Sequence, residues 1–194
     1  MIYVPKNLPK KYAAVFIYAV SHAMYDECIT TQELIAKMKL GNTQHNRDLV
    51  NHCIQYMFDH GLVTGNKLCN NRYKLFRTEV DLKSGKYYSV DYKDIDKIIN
   101  IKDRCNKLDL IDYYICLVNT ISYYTKVGFT SIATLSKRCG ISAITICKYN
   151  KILENNEIIY TVSSRSYRIS NRYGRYEDRY AVINEAKKAR LANA

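Results

Sequence analysis

Ile29-Thr30-Thr31-Gln32-Glu33-Leu34 stands one hundred positions before Phe129-Thr130-Ser131-Ile132-Ala133-Thr134, and each opens the same run of signals. A short capped helix, a turn, a second helix and a hairpin pattern follow in both places. Such a repeat constrains the fold more than either copy alone, because two separate stretches seldom acquire one order of elements by chance. In the first copy Thr30 and Glu33 form a candidate capping box, opening a helix with Leu34, Ile35 and Met38 on one face and Gly41-Asn42 as its end. A further helix from Thr43 to about Asp59 buries Val50, Cys53, Ile54 and Met57, with Gln44, His45, Asn46 and Arg47 filling its polar first turn. His60-Gly61-Leu62-Val63 ends it.

The second copy runs from Phe129 to Val162. Thr130 or Ser131 caps a helix with apolar residues Ile132, Leu135 and Cys139 at helical spacing, and Gly140 supplies the permissive backbone for a turn. Ser142 caps the next helix, whose inward face is Ile146, Tyr149 or Asn150, and Leu153. That leaves Ala143, Ile144, Thr145, Lys148 and Lys151 on the outside. A helix of this kind fits the major groove of B-form DNA, where short side chains allow close approach and lysines reach phosphate.

Each copy is preceded by an aromatic and aliphatic scaffold helix, Lys10 to Met24 and Leu108 to Tyr124, and closed by a hairpin. The hairpins span Asn66 to Phe76, turning at Asn70-Asn71, and Ile158 to Ile169, turning near Ser164-Arg165-Ser166. The expected fold is therefore mainly α with small β-hairpin wings: two winged helix-turn-helix domains in tandem plus a C-terminal helix. The domains are 1–77 and 108–176, separated by an ordered connector at 78–107 with a strand at Tyr87 to Val90 and a helix at Asp91 to Asn100. Residues 177–194 form the last helix, with Tyr180 and Ile183 toward a partner surface, either to dimerise or to fold back.

Charge now acquires a context. The chain of 194 residues carries a formal +12, with 14 basic and 10 acidic residues in 1–100 against 16 and 8 in 101–194. A polyanion is the first partner to consider, since clustered Lys and Arg release counterions from phosphate. The seven cysteines are odd in number and form no CxxC pair, which reads as reduced, mostly buried thiols in a cytoplasmic protein. The apolar run Ala13 to Val20 is too short for a membrane span, and no signal peptide precedes it. Enzyme motifs are missing: there is no P-loop, GxGxxG, nucleophile elbow or HExxH, and no zinc-ligand spacing, so neither catalysis, metal nor cofactor is expected. His52 beside Cys53 points about a hundred degrees away from it on a helix, which favours a structural role over a catalytic or metal pair. The nineteen tyrosines, paired at 87–88, 113–114 and 123–124, read as core rings rather than base-stacking platforms.

Three segments carry a family resemblance. They are Ser131-Ile132-Ala133-Thr134-Leu135-Ser136-Lys137-Arg138-Cys139-Gly140-Ile141-Ser142, the helix end Lys148-Tyr149-Asn150-Lys151-Ile152-Leu153-Glu154, and Asn171-Arg172-Tyr173-Gly174-Arg175-Tyr176-Glu177-Asp178. Over roughly the last ninety residues the chain resembles winged-helix proteins encoded by plasmids and phages of low-GC Gram-positive bacteria, including regulators and replication-initiation proteins. The resemblance implies DNA binding by the helix after Gly140 and by the hairpin that follows.

Candidate DNA-binding residues follow from chemistry and position. In the first copy Gln44, Asn46 and Arg47 suit base edges, with His45 and Thr43 beside them; Lys67 and Arg72 flank the hairpin turn. In the second, Ser142, Ala143, Ile144 and Thr145 lie at the helix start, the last three able to meet thymine methyl groups, while Lys148 and Lys151 hold the backbone. Arg165, Arg168 and Arg172 fit a basic wing that clamps phosphate or enters a minor groove. The expected function is sequence-specific binding of double-stranded DNA, as a homodimer, to regulate transcription on a mobile element. Replication initiation at origin repeats uses the same equipment, with a replication or transcription protein as further partner. The reading from another class is a winged-helix module that binds protein instead.

Overall fold

The computed structural model describes residues 2–23, 28–69, 71–78, 86–121, 127–163 and 167–170. In chain order these form β1 (Ile2–Pro5), α1 (Tyr12–Ala23), β2 (Cys28–Thr30), α2 (Thr31–Lys37), α3 (Gln44–Asp59), β3 (Val63–Lys67), β4 (Arg72–Arg77), β5 (Tyr87–Val90), α4 (Tyr92–Asn100), α5 (Lys107–Val118), β6 (Val127–Phe129), α6 (Ile132–Cys139), α7 (Ala143–Asn155), β7 (Ile159–Ser163) and β8 (Tyr167–Ser170). The architecture is mixed: helices with three small antiparallel sheets. The described residues divide into two compact units. The first holds the residues up to Asn100 with Asn106–Asp112; the second holds Ile101–Cys105 and the residues from Tyr113 on, so the division falls within α5.

In the first unit α1 is the centre. Every residue from Ala13 to Val20 is buried, as a helix that is apolar on all sides requires. Packed around it are α2, α3, α4, β1, β2 and β4. The capping box at the start of α2 is complete: Glu33 N–H donates to Thr30 Oγ1 at 3.1 Å, and Thr30 N–H donates to Glu33 Oε2 at 2.7 Å. Burial of Leu34, Ile35 and Met38 then fixes its rotation. The helix stops at Lys37, short of the expected Gly41-Asn42 end. Lys39 adopts a left-handed φ of 51°, and Leu40 N–H returns to the Ile35 carbonyl at 3.0 Å, so a lysine closes the helix where glycine usually does.

α3 begins after its Thr43 cap and buries Val50, Cys53, Ile54 and Met57. Its sheet has the order β2-β4-β3, with Tyr73 and Leu75 turned inward. Opposite Leu75, Gly65 takes φ 137°, and a Cβ there would lie 1.9 Å from the Lys74 carbonyl oxygen. Only glycine fits that approach. Residues 87–100, set apart by sequence as connector, give this unit a strand and a helix: β5 pairs antiparallel with β1, Ile2 against Val90, and α4 buries Ile95, Ile98 and Ile99.

In the second unit the latter half of α5 buries Tyr113, Tyr114, Leu117 and Val118. The helix ends at Val118 rather than at Tyr124. Thr120 N–H and Ile121 N–H donate to the Leu117 and Val118 carbonyls, three residues back, so the last turn tightens and ends, while the Asn119 and Thr120 side chains add bonds to the Ile115 and Leu117 carbonyls. Ser131 caps α6, Gly140 ends it in the left-handed conformation (φ 62°, ψ 36°), and Ser142 caps α7. Ser136 Oγ donates to the Ile141 carbonyl at 2.7 Å across this turn. The sheet has the order β6-β8-β7.

Both units thus follow one order: helix, strand, helix, helix, two-stranded hairpin, with the first strand added to the hairpin's second. The turn at Ser164-Arg165-Ser166 and the C-terminal helix at 177–194 lie outside the described residues. No disulfide joins the seven cysteines, and contrary to expectation only Cys53 is buried, while Cys69 and Cys147 are exposed. Packing around these short helices leaves most thiols at the rim. Among the described residues no helix is long and apolar enough to cross a membrane.

Candidate nucleic-acid interface

Counted from their caps Thr43 and Ser142, the two candidate recognition helices α3 and α7 correspond position by position. Thr43 accepts from Asn46 N–H at 3.3 Å and Ser142 accepts from Thr145 N–H at 3.2 Å, so each cap hydroxyl has a structural duty. The eighth helical residue is asparagine in both, and both serve the interior. Asn51 Oδ1 accepts from Thr31 Oγ1 at 2.7 Å and from Tyr73 OH at 3.2 Å. Asn150 Oδ1 accepts from the buried Tyr113 OH at 2.6 Å. Each asparagine settles the helix on its own unit and so decides which side faces outward.

The outward sides differ. On α7 Ala143, Ile144, Lys148 and Lys151 are exposed, Ile144 to 83% of its surface. From Ala143 to Leu153 the helix has no acidic residue. Thr145 is half-buried and its hydroxyl shares a hydrogen bond with Ser142 Oγ at 2.9 Å, which leaves its methyl group as the outward chemistry. On α3 the corresponding start is polar and bonded to itself. Gln44 Nε2 donates to Asp48 Oδ1 at 2.7 Å, and Asn46 Nδ2 donates to the Gly41 carbonyl at 2.7 Å. Arg47 stands where α7 has the buried Ile146; its guanidinium folds back toward the Asn42 carbonyl at 3.4 Å, with Nε buried and unpartnered.

The matches of Lys148 and Lys151 are Leu49 and His52, so α3 carries no lysine at either place. Of its first-turn side chains, His45 is the exposed counterpart of Ile144. Asn46 and Arg47 bond to backbone carbonyls just before the helix, while Gln44 bonds to Asp48 and stays exposed like His45.

In the first hairpin Lys67 and Arg72 are exposed, with Lys67 Nζ 6.0 Å from the centre of the Tyr73 ring. Lys74 lies over the exposed Phe76 ring at 5.3 Å, a contact between a cation and an aromatic face that sequence reading had not singled out. In the second hairpin Arg168 pairs through its backbone with Gly128 and Thr161. Arg165 and Arg172 lie outside the described residues. Two further cations, Lys137 and Arg138, are exposed in the last turn of α6, just ahead of Cys139 and Gly140. Their position one turn ahead of the capping Ser142 was the available signal. Among the described residues no group of three or more His, Cys, Asp or Glu side chains comes together to hold a metal ion.

No family model matches the chain, and no curated protein does. Among solved structures, a chain of the Nse1-Nse3-Nse4 complex is similar over 86% of this chain and 70% of that chain, at 10% sequence identity. Its TM-score of 0.23 is too low to carry any argument about fold or function.

Proposed function

We propose that the chain is a tandem winged helix-turn-helix protein that binds double-stranded DNA sequence-specifically, regulating transcription on a mobile genetic element. The repeated order of helix, strand, helix, helix and hairpin supports the architecture. The observation that carries the function is the outward face of α7, where Ile144 is 83% exposed ahead of two exposed lysines and no carboxylate interrupts the stretch Ala143 to Leu153. A solitary exposed isoleucine is ordinary. One at the first turn of a helix, with Lys148 and Lys151 further along the same exposed side, matches what a major groove offers: a thymine methyl group flanked by phosphates. A protein partner is a poorer match, since protein interfaces are depleted in lysine.

The two helices divide the work. α7 reads bases, while α3, bonded to itself and lacking lysine at the matching positions, contributes position and charge through its hairpin residues Lys67 and Arg72. Selection of binding sites from random duplexes tests this. The recovered sites should share a thymine whose selection relaxes in Ile144→Ala, and their genomic location, promoter or origin repeats, separates regulation from initiation. Failure to enrich any duplex, together with retention of a protein partner, would sink the reading.

A further inference from the structure

Three large apolar side chains stand exposed among the described residues: Ile144 on α7, and Leu68 and Phe76, at 40% and 41%, in the first hairpin. The proposed function uses only Ile144. The other two belong to the outer face of the β2-β4-β3 sheet. Along the central strand β4, Tyr73 and Leu75 are buried where the strand packs on α1, so Arg72, Lys74 and Phe76 alternate onto the opposite face. The register sets Thr64 beside Phe76, Asn66 and Cys28 beside Lys74, and Thr30 beside Arg72. Leu68 N–H donates to the Arg72 carbonyl at 2.7 Å, which brings Leu68 next to Arg72 at the hairpin end. All of these residues are exposed or half-buried, and none is acidic. The Glu33 carboxylate, at the end of this face, is held by Thr30 N–H at 2.7 Å and Thr30 Oγ1 at 2.9 Å.

We propose that this face binds single-stranded nucleic acid, at a site separate from the α7 surface that the proposed function assigns to duplex. Lys74 Nζ lies 5.3 Å from the centre of the Phe76 ring, so an aromatic surface and an ammonium group are already held together. An unpaired base stacks on the ring, and Lys74 and Arg72, about 7 Å apart along the strand, hold the phosphates that follow. The cations select a polyanion. The ring selects one whose bases are free, because inside a duplex both faces of each base are covered by its neighbours. An acidic peptide meets the cations and leaves the ring without a planar partner. Every base has a π-face, so this site carries little sequence choice. Phe76 and α7 belong to different units, and binding here does not depend on duplex binding there.

The test is fluorescence anisotropy of labelled oligo(dT) and oligo(U), each titrated with the full chain at low salt. Binding of either strand is expected, the two arms sorting DNA from RNA, and Phe76→Ala should weaken it by about 5- to 100-fold. The chain has no tryptophan, so Phe76→Trp places a single indole on the face. That variant should keep its affinity, and its emission should be quenched as bases stack on the indole. Lys74→Ala should weaken single-strand binding and make it less dependent on salt. Ile144→Ala should leave single-strand binding unchanged, so a failure of the duplex reading does not disturb these outcomes. Thermal melting shows that each variant is folded. No binding of either strand, binding untouched by Phe76→Ala, or indole emission that ignores the bound strand each overturns the proposal. Tighter binding of polyglutamate of matched charge than of either strand assigns the face to an acidic peptide and overturns it as well.

Discussion

At the scale of single residues, two interior polar groups set the orientation of their helices. Tyr113 OH donates to Asn150 Oδ1 at 2.6 Å with both side chains buried. Tyr113→Phe removes the donor and strands a buried carbonyl, so it should destabilise the fold by about 1–3 kcal/mol in chemical denaturation. Asp112 makes the opposite case. It accepts from Lys11 N–H at 2.6 Å, holding a lysine at φ 69°, yet burial pushes its carboxyl up to about 6 despite that hydrogen bond. The folded state therefore grips this proton more tightly than the unfolded chain does. Its contribution to stability is fully present below about pH 4 and is lost as pH rises through about 6. Asparagine keeps an acceptor for Lys11 without the charge. Asp112→Asn should gain about 1–2 kcal/mol near pH 7.5 and nothing below about pH 4, measured as unfolding midpoints across that range.

At the scale of elements, legibility in the sequence depended on how local the determining physics was. Capping is local, and the Thr30–Glu33 box, the Ser142 cap and the Gly140 turn were all readable from a few neighbouring residues. Helical periodicity is nearly as local, and it named Val50, Cys53, Ile54 and Met57 as the buried stripe of α3. Other features depended on partners distant in sequence. That Lys39 would close α2, that α5 would end at Val118, and that Asn51 and Asn150 would match at the eighth residue of their helices needed the fold. The candidate site divided the same way. Ile144 was visible as an isoleucine off the buried stripe, but Arg47 looked outward by residue type and is half-buried because it falls where the second copy has Ile146. Paired variants separate the helices. Ile144→Ala should cost about 1–2 kcal/mol on the preferred duplex and relax one thymine position, whereas Arg47→Ala should change affinity by less than about twofold and leave preference alone. Binding to a panel of single-base variants of the selected site reads both.

At the scale of the whole molecule, the proposed function has the excess of positive charge supply attraction to duplex without sequence choice. The net +12 includes exposed cations on α6, α7 and the first hairpin, so duplex affinity should fall steeply with salt, the logarithm of the association constant declining by about 0.9 per phosphate neutralised. Lys148 and Lys151 are the lysines that set α7 apart from α3, and their removal leaves the buried stripe of α7 untouched. The most direct measurement is a titration of a fluorescent duplex at several salt concentrations with the unaltered chain and with Lys148→Ala/Lys151→Ala. Duplex binding at low salt is expected, with a slope that becomes shallower by about 2 in the double variant. No duplex affinity at low salt, or a slope unchanged by loss of both lysines, would contradict α7 as the helix that lies in the groove.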